Sequence, residues 1–195
     1  MEQKDLFQIF LGKFEKAEFP LTLAYDVNNA ESFSDEPLSE VLVNMFIAED
    51  DSLPHSNAGD FIEYIPAFTF DLSKKYKACI IFKMGLGIYE FQLFIYDQEG
   101  NIMQFDAVAG TYFDPYDPNQ KLNYQVCEFK APDKAIIIKG EFSTTDETFN
   151  PAESQKFILT ISDTGELNYA IIKPHNDRYY SSCIQPLPLY GWPVE

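Results

Sequence analysis

Glu90-Phe91-Gln92-Leu93-Phe94-Ile95-Tyr96-Asp97-Gln98-Glu99-Gly100-Asn101-Ile102 and Lys156-Phe157-Ile158-Leu159-Thr160-Ile161-Ser162-Asp163-Thr164-Gly165-Glu166-Leu167 carry one pattern twice. In each, apolar residues alternate at period two, break at an Asp and Gly cluster, and resume with a new apolar residue. That is the pattern of a strand, a tight turn and a returning strand. Phe91, Leu93, Ile95, Asp97, Gly100 and Ile102 correspond to Phe157, Leu159, Ile161, Asp163, Gly165 and Leu167.

Each hairpin is preceded by a further apolar run, Ala78-Cys79-Ile80-Ile81-Phe82-Lys83 and Ala135-Ile136-Ile137-Ile138-Lys139. The expectation is two similar three-strand units. Two copies are too few for a solenoid, and the unequal gaps between runs put duplication behind chance sharing of strand signals. The first copy has Phe94 and Tyr96 on its second face and reads as a central strand covered on both sides. The second has Thr160 and Ser162 there and reads as lying nearer a margin. Gly100 and Gly165 sit where a turn favours positive φ.

Outward from these hairpins the period stays at two. Strands are predicted over Ile62–Phe70, Ala78–Lys83, Tyr89–Tyr96, Asn101–Val108, Asn123–Phe129, Ala135–Phe142, Gln155–Ile161 and Leu167–Ile172, about eight in an antiparallel meander. Toward the N-terminus the period changes. Leu6, Phe7, Phe10, Leu11 and Phe14 predict a helix over Asp5–Phe14, and Leu38, Val41, Leu42, Met45 and Phe46 one over Pro37–Ile47, with Pro37 in its first turn. Pro20 ends the first helix and begins an extended segment. The fold expected is α+β, a single domain over residues 1–195. Residues 1–60 form its helical part, packed on the sheet, and 61–195 its antiparallel sheet and extended tail.

Of 195 residues, 31 are acidic and 14 basic, a net charge of −17, and a single arginine stands among the basic ones. Such a surface repels nucleic acid and anionic lipid, and it lacks the guanidinium forks that read phosphates and base edges. No apolar run approaches the ~18 residues of a membrane span. The N-terminus shows no secretory pattern, so cytoplasm is the expected location. Cys79, Cys127 and Cys183 have no CxxC spacing and an odd total, which signals neither a disulfide framework nor zinc.

Chemistry-bearing motifs are sparse. His55 and His175 are the two histidines; pairing His175 with Cys183 as a thiolate nucleophile rests on no spacing signal. Asp114, Asp117 and Asn119 lack the spacing, central Gly and closing Glu of a calcium loop, so the two Asp-Pro steps read as turns. Gly85-Leu86-Gly87 precedes a strand instead of a helix and reads as a hairpin connection. No catalytic residue, metal or cofactor is assigned, and a non-enzymatic role is expected.

Tyr112, Phe113 and Tyr116, and Tyr190 and Trp192 in the Pro-rich C-terminal tail, are the candidate binding residues, because rigid aromatic side chains anchor interfaces at low entropic cost. The function expected is an acidic binding or protein-interaction domain that engages a basic protein, in the manner of an inhibitor that neutralises a cationic toxin. The alternative is a small-molecule binding protein or enzyme with an aromatic-lined pocket in the sheet. A homo-oligomer built through an open sheet edge is a third arrangement.

Overall fold

The computed structural model describes residues 3–25, 36–47, 62–85, 88–113, 122–142 and 154–172. Its framework is the predicted meander: β3 (Glu63–Asp71), β4 (Lys77–Gly85), β5 (Ile88–Tyr96), β6 (Ile102–Phe113), β7 (Leu122–Ala131), β8 (Lys134–Phe142), β9 (Gln155–Ile161) and β10 (Leu167–Ile171). Each is antiparallel to the next. All eight expected strands are present, and the two hairpins turn through Gly100 and Gly165 at φ +88° and +80°.

Among the described residues the count rises to ten, because two short strands precede the meander. β1 (Glu15–Lys16) runs parallel to β3 in the register Glu15↔Phe68 and Lys16↔Thr69. Two exposed charged residues have no apolar alternation, so periodicity could not reveal this strand. β2 (Leu21–Leu23) follows a cis Phe19–Pro20 bond and pairs antiparallel with β7, Leu21 against Phe129 and Leu23 against Cys127. The order across the sheet is β1-β3-β4-β5-β6-β7-β8-β9-β10, with β2 beside β7.

Both helices are shorter than their apolar stripes suggest. α1 is Gln3–Leu11, and Gly12 follows it. Phe14 lies beyond the helix yet stays buried, its ring centroid 4.9 Å from that of Phe10. α2 is Glu40–Phe46 with extended Ser39 as its N-cap, so Pro37 precedes the helix instead of entering its first turn. The physical reason is a competing bond: the Leu38 amide donates to the Tyr64 carbonyl at 2.8 Å, which draws residues 36–38 along β3.

β4 and β5 are buried on both faces. On one, Cys79, Ile81, Phe94 and Tyr96 meet Phe7 and Phe10 of α1 and Leu42 and Phe46 of α2. The Phe7 ring lies 5.4 Å from Phe46 and 5.3 Å from Tyr96, and the Tyr96 hydroxyl donates to the Phe46 carbonyl. On the other, Ala78, Ile80, Phe82, Phe91, Leu93 and Ile95 share a core with Cys127, Phe129, Ile137 and Leu159 of β7 to β9. Phe70 of β3 reaches Phe129 of β7 at 5.6 Å, so the sheet folds over on itself. A fully buried Phe or Leu contributes about 1.5–3 kcal/mol of transfer free energy, and most of that lies in these two clusters.

The contrast between the two hairpin copies holds. Phe91 to Tyr96 are all buried, whereas along β9 Phe157 and Ile158 are half-buried and Thr160 is exposed. β6 runs five residues past the expected Val108, because Gly110 to Phe113 pair with Gln125 to Leu122. Tyr112 and Phe113 therefore begin the predicted aromatic run as strand, not as loop.

Candidate functional site

The long connections of the meander gather at one end of the sheet, where the two residues between Gly85 of β4 and Ile88 of β5 are the one short link. At the opposite end the turns are short, 72–76, 97–101, 132–133 and 162–166, and all but 132–133 are closed by their own backbone hydrogen bonds. In the 97–101 turn the Asp97 carboxylate accepts from the Glu99 and Asn101 amides at 2.9 Å each and from the Asn101 side chain at 2.8 Å. Partial burial acts to raise this carboxyl, but the hydrogen bonds from Asn101, Glu99 and Gly100 outweigh it and hold it below the usual range. Ser162 acts similarly at 162–166, accepting from the Thr164 and Glu166 amides.

The first of these ends receives the long connections. From it the chain leaves β6 at Phe113 and returns at Leu122, leaves β8 at Phe142 and returns at Gln155, and leaves β10 at Ile171 toward the C-terminus. The segment after Tyr25 also starts there, since β2 runs toward this end of β7, and it rejoins at Leu38 beside Tyr64. Tyr112 and Phe113 close β6 at this end. Tyr116, Tyr190 and Trp192 lie outside the described residues, as do His55, His175, Cys183, Asp114, Asp117 and Asn119.

Toward the same end, on the face shared with Cys79 and Ile81, sits a polar group that sequence reasoning missed. Lys83 of β4 and Glu90 of β5 are register partners; their side chains are 4% and 14% exposed, and Nζ stands 3.8 Å from Oε1. Gln92 donates to the same Oε1 at 2.7 Å. The signal available was a lysine closing the apolar run 78–82 on the parity of Cys79 and Ile81. On the core face, the Tyr25 ring stacks on Tyr89 at 4.7 Å and lies 6.0 Å from Phe82, which is 4.8 Å from Phe91. These rings pack on one another.

A third polar group gathers along β6, where it is reached from β7 and from the non-neighbouring β10. β6 pairs with β7 only from Gly110 onward; before that, Gln125 donates to the Ala107 carbonyl at 2.9 Å, Gln104 accepts from the Leu167 amide of β10 at 2.6 Å, and Asp106 accepts from the Tyr169 hydroxyl at 2.6 Å. Partners 63 residues apart leave no local pattern in a single sequence.

The two thiols among the described residues are sequestered. Cys79 and Cys127 are free and fully buried. Burial pushes the Cys79 thiol up to about 12 against a weaker opposing hydrogen bond with Thr69, and pushes Cys127 higher still. Neither offers a thiolate for nucleophilic attack. Among the described residues, no three His, Cys, Asp or Glu side chains gather as metal ligands, and no helix is long and apolar enough to cross a membrane. Comparison with protein-family models, with curated proteins and with solved structures finds no match to this chain.

Proposed function

We propose that this chain is a non-enzymatic binding module that engages a basic protein through the end of the sheet where the long connections gather. The carrying observation is the division of charge. The 125 described residues hold 16 acidic and 11 basic side chains, a net −5. Segments 26–35, 114–121, 143–153 and 173–195, all joined to that end, hold ten acidic side chains against three basic ones. These connections hold their negative charge more densely than the framework they leave, and such an asymmetry would accelerate encounter with a cation-rich surface and discriminate against anionic partners. The same segments carry Tyr116, Tyr190 and Trp192, aromatic anchors of the sort that supply contact area once charge has steered the encounter.

Within this reading the protein is a single domain that works in the cytoplasm, where Cys79 and Cys127 stay reduced. The test is titration with poly-lysine and with a folded protein of high isoelectric point at two ionic strengths. Binding that weakens by tenfold or more between 50 and 200 mM salt is expected, and the combined variant Asp146→Asn, Glu147→Gln, Glu153→Gln and Asp177→Asn should weaken it at low salt. Absence of binding to either cation at low salt, with no partner recovered from native lysate, overturns the reading.

A further inference from the structure

The two terminal strands of the sheet are treated differently. β1 is two residues long and both are charged, a short and polar edge of the type that resists pairing with another chain. β10 is Leu167-Asn168-Tyr169-Ala170-Ile171, without charge or proline, and it pairs with β9 over its whole length without a bulge. Ile171 is 71% exposed and Tyr169 39%. Its sequence has neither charge nor proline to protect it, and the Gln104 and Asp106 side chains of β6 reach only its Leu167 and Tyr169 positions.

The ladder determines what this edge offers. The Ser162 amide donates to the Glu166 carbonyl and the Ile172 amide to the Lys156 carbonyl, so the even-numbered residues of β10 turn their main chain toward β9. Leu167, Tyr169 and Ile171 then turn theirs outward. The Leu167 amide is taken by Gln104 Oε1. Among the described residues no strand lies beyond β10, which leaves the amides and carbonyls of Tyr169 and Ile171 available to a further strand.

We propose that the open edge of β10 accepts an extended, basic segment of a partner protein as an added strand. Main-chain bonds to Tyr169 and Ile171 supply the pairing, and the Tyr169 and Ile171 side chains supply apolar contact. Charge selects the occupant. Each copy of this chain carries −17, which opposes edge-to-edge pairing of two copies, whereas Asp106 beneath Tyr169 and Asp163 and Glu166 at the preceding turn favour lysine or arginine near the Leu167 end. Lys156 stands at the other end of the pairing, beside Ile172, so the cationic side chains of the incoming strand belong on the Leu167 side. The proposal rests on the reading of the partner as basic and adds the place and the backbone geometry of one contact.

The probe is a capped eight-residue peptide alternating lysine and valine, titrated into the full chain while amide exchange is followed by NMR. Slowing of exchange at Tyr169 and Ile171 by tenfold or more at saturation is expected, with loss of binding by tenfold or more when alternate peptide nitrogens are methylated. Ile171→Pro removes an outward amide at an edge position where proline is tolerated, and it should weaken the peptide similarly at unchanged melting temperature. If that variant fails to fold, the methylated peptide still decides the matter. Peptide or poly-lysine binding with exchange at Tyr169 and Ile171 unchanged overturns the edge site and leaves the acidic-module reading standing; failure of both cations to bind overturns both. Protection of the two amides without peptide, in a species of twice the monomer mass, assigns the edge to a second copy and also overturns the proposal.

Discussion

Tyr169 on β10 donates its hydroxyl hydrogen to Asp106 Oδ2 on β6 at 2.6 Å, closing a gap between two strands that are not neighbours in the sheet. Burial raises the phenol above its ordinary value, and the hydrogen bond and charge of Asp106 raise it further. Because the folded value is raised, the stabilisation is fully present below the unfolded value of ~10 and is lost as pH rises beyond it. Tyr169→Phe and Asp106→Asn should each lower stability by about 0.5–1.5 kcal/mol at pH 7. The double variant should lose less than the sum, with a coupling of about 0.5 kcal/mol or more in a denaturant-melt cycle. Additivity within error would show that the two strands are held together by other contacts.

Three glycines rank by what a methyl group would meet. At Gly110, φ is +127° and an added Cβ would lie 2.2 Å from the Tyr89 carbonyl oxygen, a backbone atom that cannot step aside. At Gly100 (φ +88°) it would lie 2.7 Å from Phe7 Cγ, at the junction of α1 with the 97–101 turn, and at Gly165 (φ +80°) 3.2 Å from Ile95 Cγ2. The left-handed backbone alone costs roughly 1–2 kcal/mol for alanine, and forced overpacking adds about 1–3 kcal/mol. Gly165→Ala should therefore lose about 1–2 kcal/mol and Gly100→Ala about 3–4 kcal/mol. Gly110→Ala should be the worst of the three. Urea midpoints measure the order, and Gly165→Ala melting below Gly100→Ala would contradict it.

Gly100 and Gly165 were legible because Asp-Gly clusters between alternating runs have a local physical cause, the need for positive φ in a tight turn. The eight strands of the meander were legible for a related reason: period two is a property of neighbouring residues. Gly110 was not, since its requirement comes from the Tyr89 carbonyl on the adjacent strand. Glu15 and Lys16 failed for the same reason, their strand being made by β3. Pro37 misled because proline marks a helix start only if nothing else claims the residues that follow it, and the Tyr64 carbonyl takes the Leu38 amide. Of the candidate binding residues, Tyr112 and Phe113 came to the end of β6. The Lys83–Glu90–Gln92 group went unseen because a charged residue closing an apolar run reads as the edge of burial, not as its continuation.

Lys83 and Glu90 bring two opposite charges to a nearly dry face at 3.8 Å, longer than a hydrogen bond. Desolvation of such a pair roughly cancels its attraction, while removing one partner leaves the other charge uncompensated. Glu90→Leu should therefore cost about 3 kcal/mol or more, whereas Lys83→Met combined with Glu90→Leu should lie within about 1–2 kcal/mol of the wild type on either side. Chemical denaturation of the three proteins at pH 7 tests this. A double variant no better than Glu90→Leu would mean that Gln92 and the surrounding packing depend on the charges themselves.

Cys79 and Cys127 are both raised by burial, so folding favours the protonated thiol. In the unfolded chain a thiol titrates near 9. Below that pH both states bind the proton and stability is unaffected. Above it the unfolded state releases a proton that the folded state keeps, and stability falls by up to about 1.4 kcal/mol per pH unit for each thiol. For Cys79 the decline continues until about 12. In a Cys183→Ser background, urea midpoints between pH 8 and 10.5 should drop with this slope, and Cys79→Ala should roughly halve the part of it due to thiols. A disulfide-exchange reagent at pH 8 should label neither thiol in the native state and both in urea. Rapid labelling of Cys127 without denaturant would show that the core between β2, β7 and β8 opens locally.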